Sequence, residues 1–436
     1  MRSIRYGVLT TLATVLGIAA QASAQSQLGS ALGSGSGFGG VSSEGLQDAG
    51  GLPGLDGRLN AFTAPLGDPA KPGPFVYGDV VWIHRGWTLG DQTVAWRGLV
   101  DTTGVITQVP GTFIGTGVKA LSTNDLRRNS WMPGVNLGIG WKMDDGTTFT
   151  ARILHTASSS SSAGASLATQ YARSNFSLTD TFLTSGVFNF PPQFAGPARK
   201  TAFEGTRVGQ VLNPDGTVFF NGTLVPDGAF YGIWNGASNT VIAYKRWYTE
   251  AEIGGRVPLF ESNSSKIYGL GGVRHYNFSD RFRWRTESYG VDGSLTPQGV
   301  ADYSNVLRQN MYGPYVGCSH EMYLHNNFSV STDLSATGLI DFVSARAKYQ
   351  LGDDTVANKA HYRDTKLVPN VNANVNVWWY PVKGVQVRVG YMANTFFNTT
   401  RMKEPISFNY GGLDPTYSTQ YFTLIHGLNI GVGVFF

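Results

Sequence analysis

The closing stretch "YFTLIHGLNIGVGVFF" narrows the fold of this chain more than any other segment. Phe422, Leu424, Leu428, Ile430, Val432, Val434 and Phe436 fall on one side of an extended backbone, and Asn429, Gly431 and Gly433 on the other. Alternation with a period of two marks a strand, because successive side chains leave the backbone on opposite faces. A helix would mix the two sets. The question is what the apolar side meets, another protein layer or lipid.

A second stretch, "VPNVNANVNVWWYPVKGVQVRVGYMAN", repeats the pattern on two strands. Val371, Ala373, Val375, Val377 and Trp379 oppose Asn370, Asn372, Asn374 and Asn376. After a turn at 381–384, Val385, Val387, Val389 and Tyr391 oppose Gln386 and Arg388. Valine favours strands and asparagine disfavours helix interiors, so an antiparallel hairpin follows, its register set by the pattern. Soluble sandwiches alternate in the same way, so the compartment has to decide.

The first residues name the compartment. Arg2 and Arg5 precede an apolar run from Val8 to Ala20 and a small-x-small site at Ala22-Ser23-Ala24, so residues 1–24 read as an export signal. Beyond it no apolar run reaches the ~18 residues of a spanning helix. Mean hydropathy is near neutral at -0.12, as a barrel that hides its lipid affinity in alternation requires. Charged residues make up 14%, against roughly 25% in ordinary soluble domains. The formal net charge of +4 includes Arg2 and Arg5, and so small an excess gives no footing for nucleic acid. The lone cysteine, Cys318, cannot form an internal disulfide and reads as a small apolar strand residue. Residues 25–74, rich in Gly, Ser and Pro, read as a flexible leader. The Gly35-x-Gly37-x-x-Gly40 within it lacks the strand and helix that a dinucleotide fingerprint needs.

From Phe75 to Phe436 the chain lays out as about ten strands, with short turns at one set of connections and long loops, chiefly 85–130 and 156–239, at the other. Eight or twelve strands fit if the segments from Gly216 and Arg281 are counted differently. The expectation is a transmembrane antiparallel up-and-down β-barrel, since a closed ring is the sheet that leaves no edge in lipid. The valine faces then meet lipid and the opposite faces a polar lumen. Lumen-facing candidates are Arg152, Arg246, Glu250, Glu252, Arg256, Glu321, Asp333, Asp341, Asn370, Asn372, Asn374, Asn376, Gln386 and Arg388.

Several segments are similar to the outer-membrane β-barrel porin family numerous in planctomycete bacteria: "VVWIH", "LGGVRHYNF", "NMYGPYVGCSHE", and "VGYMANTFFNTTR" followed by "HGLNIGVGVFF". The family follows its Gly-Tyr strand with Arg-Pro-Gly; here Arg401 is followed by Met402 and Lys403. The final strand also resembles the assembly signal of outer-membrane barrels, carried here by Ile430, Val432, Val434 and Phe436. The resemblance implies an outer-membrane location, recognition by the barrel-assembly machinery and a pore-like role, and it brings no catalytic residues.

A ten-stranded ring is scarcely wider than barrels filled by side chains, and buried charges need partners. The expectation is therefore a structural or narrow-pore barrel plugged by lumenal ion pairs, with no enzyme activity, cofactor or metal site. Two other classes are in view. An outer-rim protease would draw on His155, His361, Asp353, Asp354 and Asp364. A recognition barrel would act through its loops, "RFRWR" at 281–285 being read as a basic, aromatic loop patch for anionic glycans or headgroups. His320 and His325 fall on opposite faces, and Asp353-Asp354 lacks the spacing of a calcium loop. Outer-membrane lipid, small solutes and surface glycans are the partners in view.

Overall fold

The computed structural model describes residues 72–101, 112–126, 131–166, 180–191, 210–212, 218–220, 223–224, 232–235, 237–262, 265–288, 295–324, 327–382 and 384–436. The export signal, most of the leader and the Gly35–Gly40 motif lie outside them. Ten antiparallel strands form the wall: β1 (Gly73–Arg85), β2 (Trp131–Lys142), β3 (Thr148–Thr156, continued by Ser159–Ser166), β4 (Asn239–Glu261), β5 (Ser265–Glu287), β6 (Val300–Leu324), β7 (Phe328–Leu351), β8 (Val356–Val382), β9 (Val385–Glu404) and β10 (Thr416–Phe435). Each strand pairs with its neighbours in sequence, and β1 pairs with both β2 and β10. The last register runs from Phe75 opposite Phe435 to Arg85 opposite Ile425. The sheet is a closed ring without an edge, the geometry a β-structure needs in a lipid core.

Four details differ from the sequence reading. The barrel starts at Gly73, so positions 73 and 74 belong to β1 and not to the leader. Ser159–Ser166, expected in a loop, extends β3 along Asn239–Arg246 of β4 beyond an irregularity at 157–158. Arg281, Arg283 and Arg285, also expected in a loop, belong to β5, which runs on to Glu287. Nor does the segment from Gly216 add a wall strand: Val218–Phe220 pairs with Gln210–Leu212 and Thr223–Leu224 in a separate small sheet.

Tight turns cluster at one end of the ring. Between β2 and β3 the Met143 N–H donates to the Thr147 carbonyl at 2.8 Å, and Asp145 Oδ1 accepts the Thr147 N–H at 2.9 Å. Gly146 holds φ +82° there, a left-handed conformation that costs a glycine nothing. At this turn end, exposed Trp141, Phe149, Phe260, Phe328 and Trp379 ring the outer surface, and towards the other end Trp131, Tyr312, Phe342 and Phe397 form a second ring. The outward positions between the rings are aliphatic: Val135, Leu137, Ile139, Ile253, Val316, Ile340, Val375, Val389 and Ile430 are all more than a third exposed. An apolar band between two aromatic girdles is the outer surface of a bilayer-spanning barrel. Cys318 is one of the outward, exposed residues of β6. Ile430, Val432, Val434 and Phe436 also face outward.

The long strands run past the band at the loop end, where β8 alone has 27 residues although a crossing takes about ten. Here the connecting segments fold inward. Residues 93–101, 112–122 and 180–184 form a three-stranded sheet, with Thr93–Asp101 in the middle. Val94, Ala95, Leu121 and Leu126 from this region join wall residues such as Ile242, Phe282 and Tyr303 in one buried cluster.

Candidate functional site: the lumen and its three layers

The inward face of the wall changes character along the axis. Next to the turns is a polar vestibule with a cavity of about 200 Å³. Glu252 is its hub: it accepts Arg152 Nη2 and Arg274 Nε, each at 2.7 Å, Arg152 Nε at 3.2 Å and the Tyr315 hydroxyl at 2.8 Å. Arg152 also bonds Glu250, which accepts the Tyr248 hydroxyl. Arg274 continues to Ser335 at 2.7 Å. Across the vestibule Asp79 holds Arg388 and Asn136, while Arg256 reaches Ser319 and, at 3.3 Å, Asp333. Glu321 accepts Ser329 at 3.0 Å and Tyr380 at 3.2 Å.

Glycines shape this layer. A Cβ on Gly138 would lie 2.2 Å from the Tyr77 ring, and one on Gly254 would lie 2.0 Å from the Tyr315 hydroxyl. The bare backbone thus makes room for two inward rings, each under a guanidinium: Arg388 lies 5.3 Å from the Tyr77 centroid and Arg274 3.9 Å from that of Tyr315.

The next layer is apolar. Val81, Ile83, Met132, Leu154, Tyr248, Tyr276, Phe278, Met311, Leu339, Val368, Met392, Phe396 and Ile425 form one buried cluster to which every wall strand contributes. Phe396 stands edge-on to Tyr276 at 4.9 Å and to Phe278 at 5.1 Å. We call this layer the waist. Directly beyond it a fully buried ion pair spans the lumen, with Arg85 Nη1 and Nη2 donating to the two Asp280 oxygens at 2.9 and 3.0 Å. Arg85 lies 4.5 Å from the Phe278 centroid, and Arg246 donates to the Gly86 carbonyl at 3.0 Å.

The third layer is the plug at the loop end. Trp234, on the one-turn helix Gly232–Asn235, packs against Tyr349 at 4.9 Å and Tyr410 at 6.0 Å. Tyr303 and Asn305 donate to the Pro405 carbonyl at 2.8 and 2.9 Å, and Tyr349 to the Ser407 carbonyl at 2.6 Å, which ties the β9–β10 connection into the mouth. Burial pushes the Tyr410 hydroxyl up to about 12. In the β7–β8 turn the Thr355 N–H holds the Asp353 carboxyl below its ordinary value.

All fourteen sequence-derived lumen candidates occupy inward positions. Arg152, Glu250, Glu252, Arg256, Asp333, Asn372, Asn374, Asn376, Gln386 and Arg388 surround the vestibule, with Glu321 nearer the turns. Asn370 reaches Asn394 at 3.1 Å. Arg246 stands apart beside the Arg85–Asp280 pair, and Asp341 is buried in β7. Arg274, Tyr315, Asp79 and the Arg85–Asp280 pair are absent from the sequence-derived set.

The histidines and acids considered for a rim protease do not converge. His155 faces outward and bonds Thr249 at 2.8 Å, and His361 bonds Arg346 at 3.0 Å. Asp354 accepts Gln350, and Asp364 accepts the Tyr362 hydroxyl. Among the described residues no hydrogen bond joins a histidine to an acid in this set, and no group of three metal-ligating side chains is present. His320 faces outward, and His325 lies outside the described residues. In "RFRWR" the arginines face outward, whereas Phe282 and Trp284 are fully buried, Trp284 donating to Thr240 at 2.8 Å.

Fold and lumen together define a membrane-spanning β-barrel with a filled interior. No family model and no curated protein matches the sequence. Among solved structures, the chain is similar to the outer membrane protease OmpT from Escherichia coli, with 11% identity, 83% of this chain and 97% of that one covered, and a TM-score of 0.37. It is also similar to a major outer membrane protein from Thermus thermophilus (11%, 83% and 99%, TM-score 0.22) and to a Pseudomonas aeruginosa FadL homologue (8%, 84% and 90%, TM-score 0.24). Likenesses this remote lend no weight to a role; the barrel class rests on the closed strand ring.

Proposed function

We propose that this chain is a closed outer-membrane barrel of a Gram-negative-type bacterium, structural in role, that holds a folded outer mouth at the cell surface and passes no solute in this conformation. The waist carries the reading: all ten strands send apolar side chains into one layer across the lumen, so an ion leaving the vestibule would have to shed most of its hydration. The vestibule adds support, because four carboxylates (Asp79, Glu250, Glu252, Asp333) face four guanidiniums (Arg152, Arg256, Arg274, Arg388) and leave no single-sign field to select an ion. The export signal read in residues 1–24 and the likeness to the planctomycete barrel family favour the outer membrane as its location.

Planar-bilayer recording of the refolded chain tests this. A barrel that resists unfolding in detergent, shows heat-dependent gel mobility and remains electrically silent is the expected result. Discrete, salt-dependent current steps from the same preparation would overturn the closed reading and establish a pore.

A further inference from the structure

Beyond the upper aromatic ring, one side of the wall is strongly basic on its outer surface. The row nearest the ring carries Arg308, opposite Ser344, which is itself opposite Arg363. In the next row Lys245 stands opposite Arg281, whose other neighbour, Val306, faces Arg346. In the third row Lys348 stands opposite Lys359. All seven basic residues are exposed and point away from the lumen. At comparable height β10 presents Phe422, Gln420 and Ser418 instead, and β9 adds Arg401 and Lys403, so the charge is densest on β4–β8.

Two of these cross-strand pairs, Lys245 with Arg281 and Lys348 with Lys359, put like charges in register, which destabilises a sheet. Nearby carboxylates do not relieve them: Asp302 pairs with Arg283, and Glu287 with Arg285, one row or more further out. Among the described residues none of the seven has a carboxylate within ion-pair distance. The first row is in register with Trp247 through Ser279 and lies one outward position, roughly 7 Å along a strand, beyond Phe342, which is headgroup depth for a girdle at the bilayer interface.

We propose that the outward face of β4–β8 binds phosphorylated lipid headgroups of the outer leaflet, several basic residues sharing each multiply phosphorylated lipid. Guanidinium groups match phosphate oxygens in bidentate fashion, and an anion between the rows removes the repulsion within both like-charged pairs. The proposal rests on the bilayer placement of the barrel and not on whether its lumen conducts.

The test uses the full chain refolded into nanodiscs of phosphatidylcholine doped with a bisphosphorylated glycolipid, the lipid retained on the protein being counted by native mass spectrometry. The glycolipid is expected on the wild-type barrel in clear excess over its share of the disc. Arg281→Ser with Lys359→Ser dissolves both like-charged pairs and is expected to cut that excess by about thirtyfold, the loss for two basic groups at an anionic surface. Lys403→Ser, on β9, is expected to leave it unchanged. In pure phosphatidylcholine the double variant should melt no lower than wild type, which separates lost binding from lost folding. Equal retention by wild type and double variant, an equal loss in the β9 control, or displacement of the glycolipid by inorganic phosphate at equal concentration would each overturn the proposal. A barrel that inserts everywhere without enrichment sinks this inference alone, whereas a chain that stays soluble without lipid sinks the bilayer placement as well.

Discussion

The two ends of the lumen are built in opposite ways. Near the turns, Arg152, Arg274 and Arg388 line a cavity with room for several waters and are satisfied by Glu252 and Asp79 through charge-assisted hydrogen bonds. Near the loops, Trp234, Trp284, Tyr303 and Tyr349 fill the same ring by contact. The difference follows the solvent outside the wall. Where lipid surrounds the ring, apolar residues are drawn outward and the interior is left to polar groups. Where strands rise into water, the outer face is charged and the interior becomes an ordinary dry core. One continuous sheet thus follows two opposite burial rules, and the waist marks the changeover with apolar residues on both faces.

The waist offers the most direct way to break this arrangement. Phe396 is fully buried between Tyr276 and Phe278, so Phe396→Ala should cost about 4 kcal/mol through lost burial and a residual cavity. Urea titration in detergent, followed by tryptophan fluorescence, measures it. Current is still expected to be absent, because the Arg85–Asp280 pair and the Trp234 plug remain in series. Steps appearing in this variant alone would show that the waist is the sole seal.

A somewhat smaller effect is expected in the vestibule. Glu252→Leu removes the acceptor for two guanidiniums and a hydroxyl, leaving Arg152 with Glu250 and Arg274 with Ser335. Breaking a buried ion pair costs about 3–5 kcal/mol, and the lower figure applies because the cavity admits water. The same titration reads it. A loss as large as that of Phe396→Ala would mean that the vestibule is as dry as the waist, and the contrast between the layers would fail.

The same two-solvent logic explains what could be read from the sequence. The hairpin of β8 and β9 was legible because valine faces lipid and asparagine faces a polar vestibule, so alternation survives in the letters. On β5 it does not: Tyr276, Phe278, Phe282 and Trp284 point inward while Val273 and His275 point outward, and a strand with apolar residues on the lumen side shows no clean period. "RFRWR" looked like a loop because charge and aromatic residues alternate there with the core on the inside, the soluble-protein pattern and the reverse of the membrane one. Ser159–Ser166 was missed because its outward positions face water and carry no apolar mark. Within the vestibule Arg274 was obscured by the ambiguous facing of β5, and its partner Tyr315 by the glycines and aromatics around it.

The smallest expected effects come from the outer surface of a single strand, β8, which passes from one solvent to the other. Val375 lies outward between Thr332 and Tyr391, well inside the apolar band. Val375→Arg should cost about 2 kcal/mol in a bilayer, where a charge near the midplane has no water to hydrate it. Lys359, also outward, lies beyond the upper ring opposite Lys348, and Lys359→Ser should leave stability in neutral lipid unchanged or slightly raised. Measured side by side in phosphatidylcholine vesicles, the pair locates the bilayer boundary along β8. If both substitutions proved equally harmless, the Val375 face would be bathed by water rather than hydrocarbon, and the inside-out half of the barrel would have to be reassigned as a soluble one.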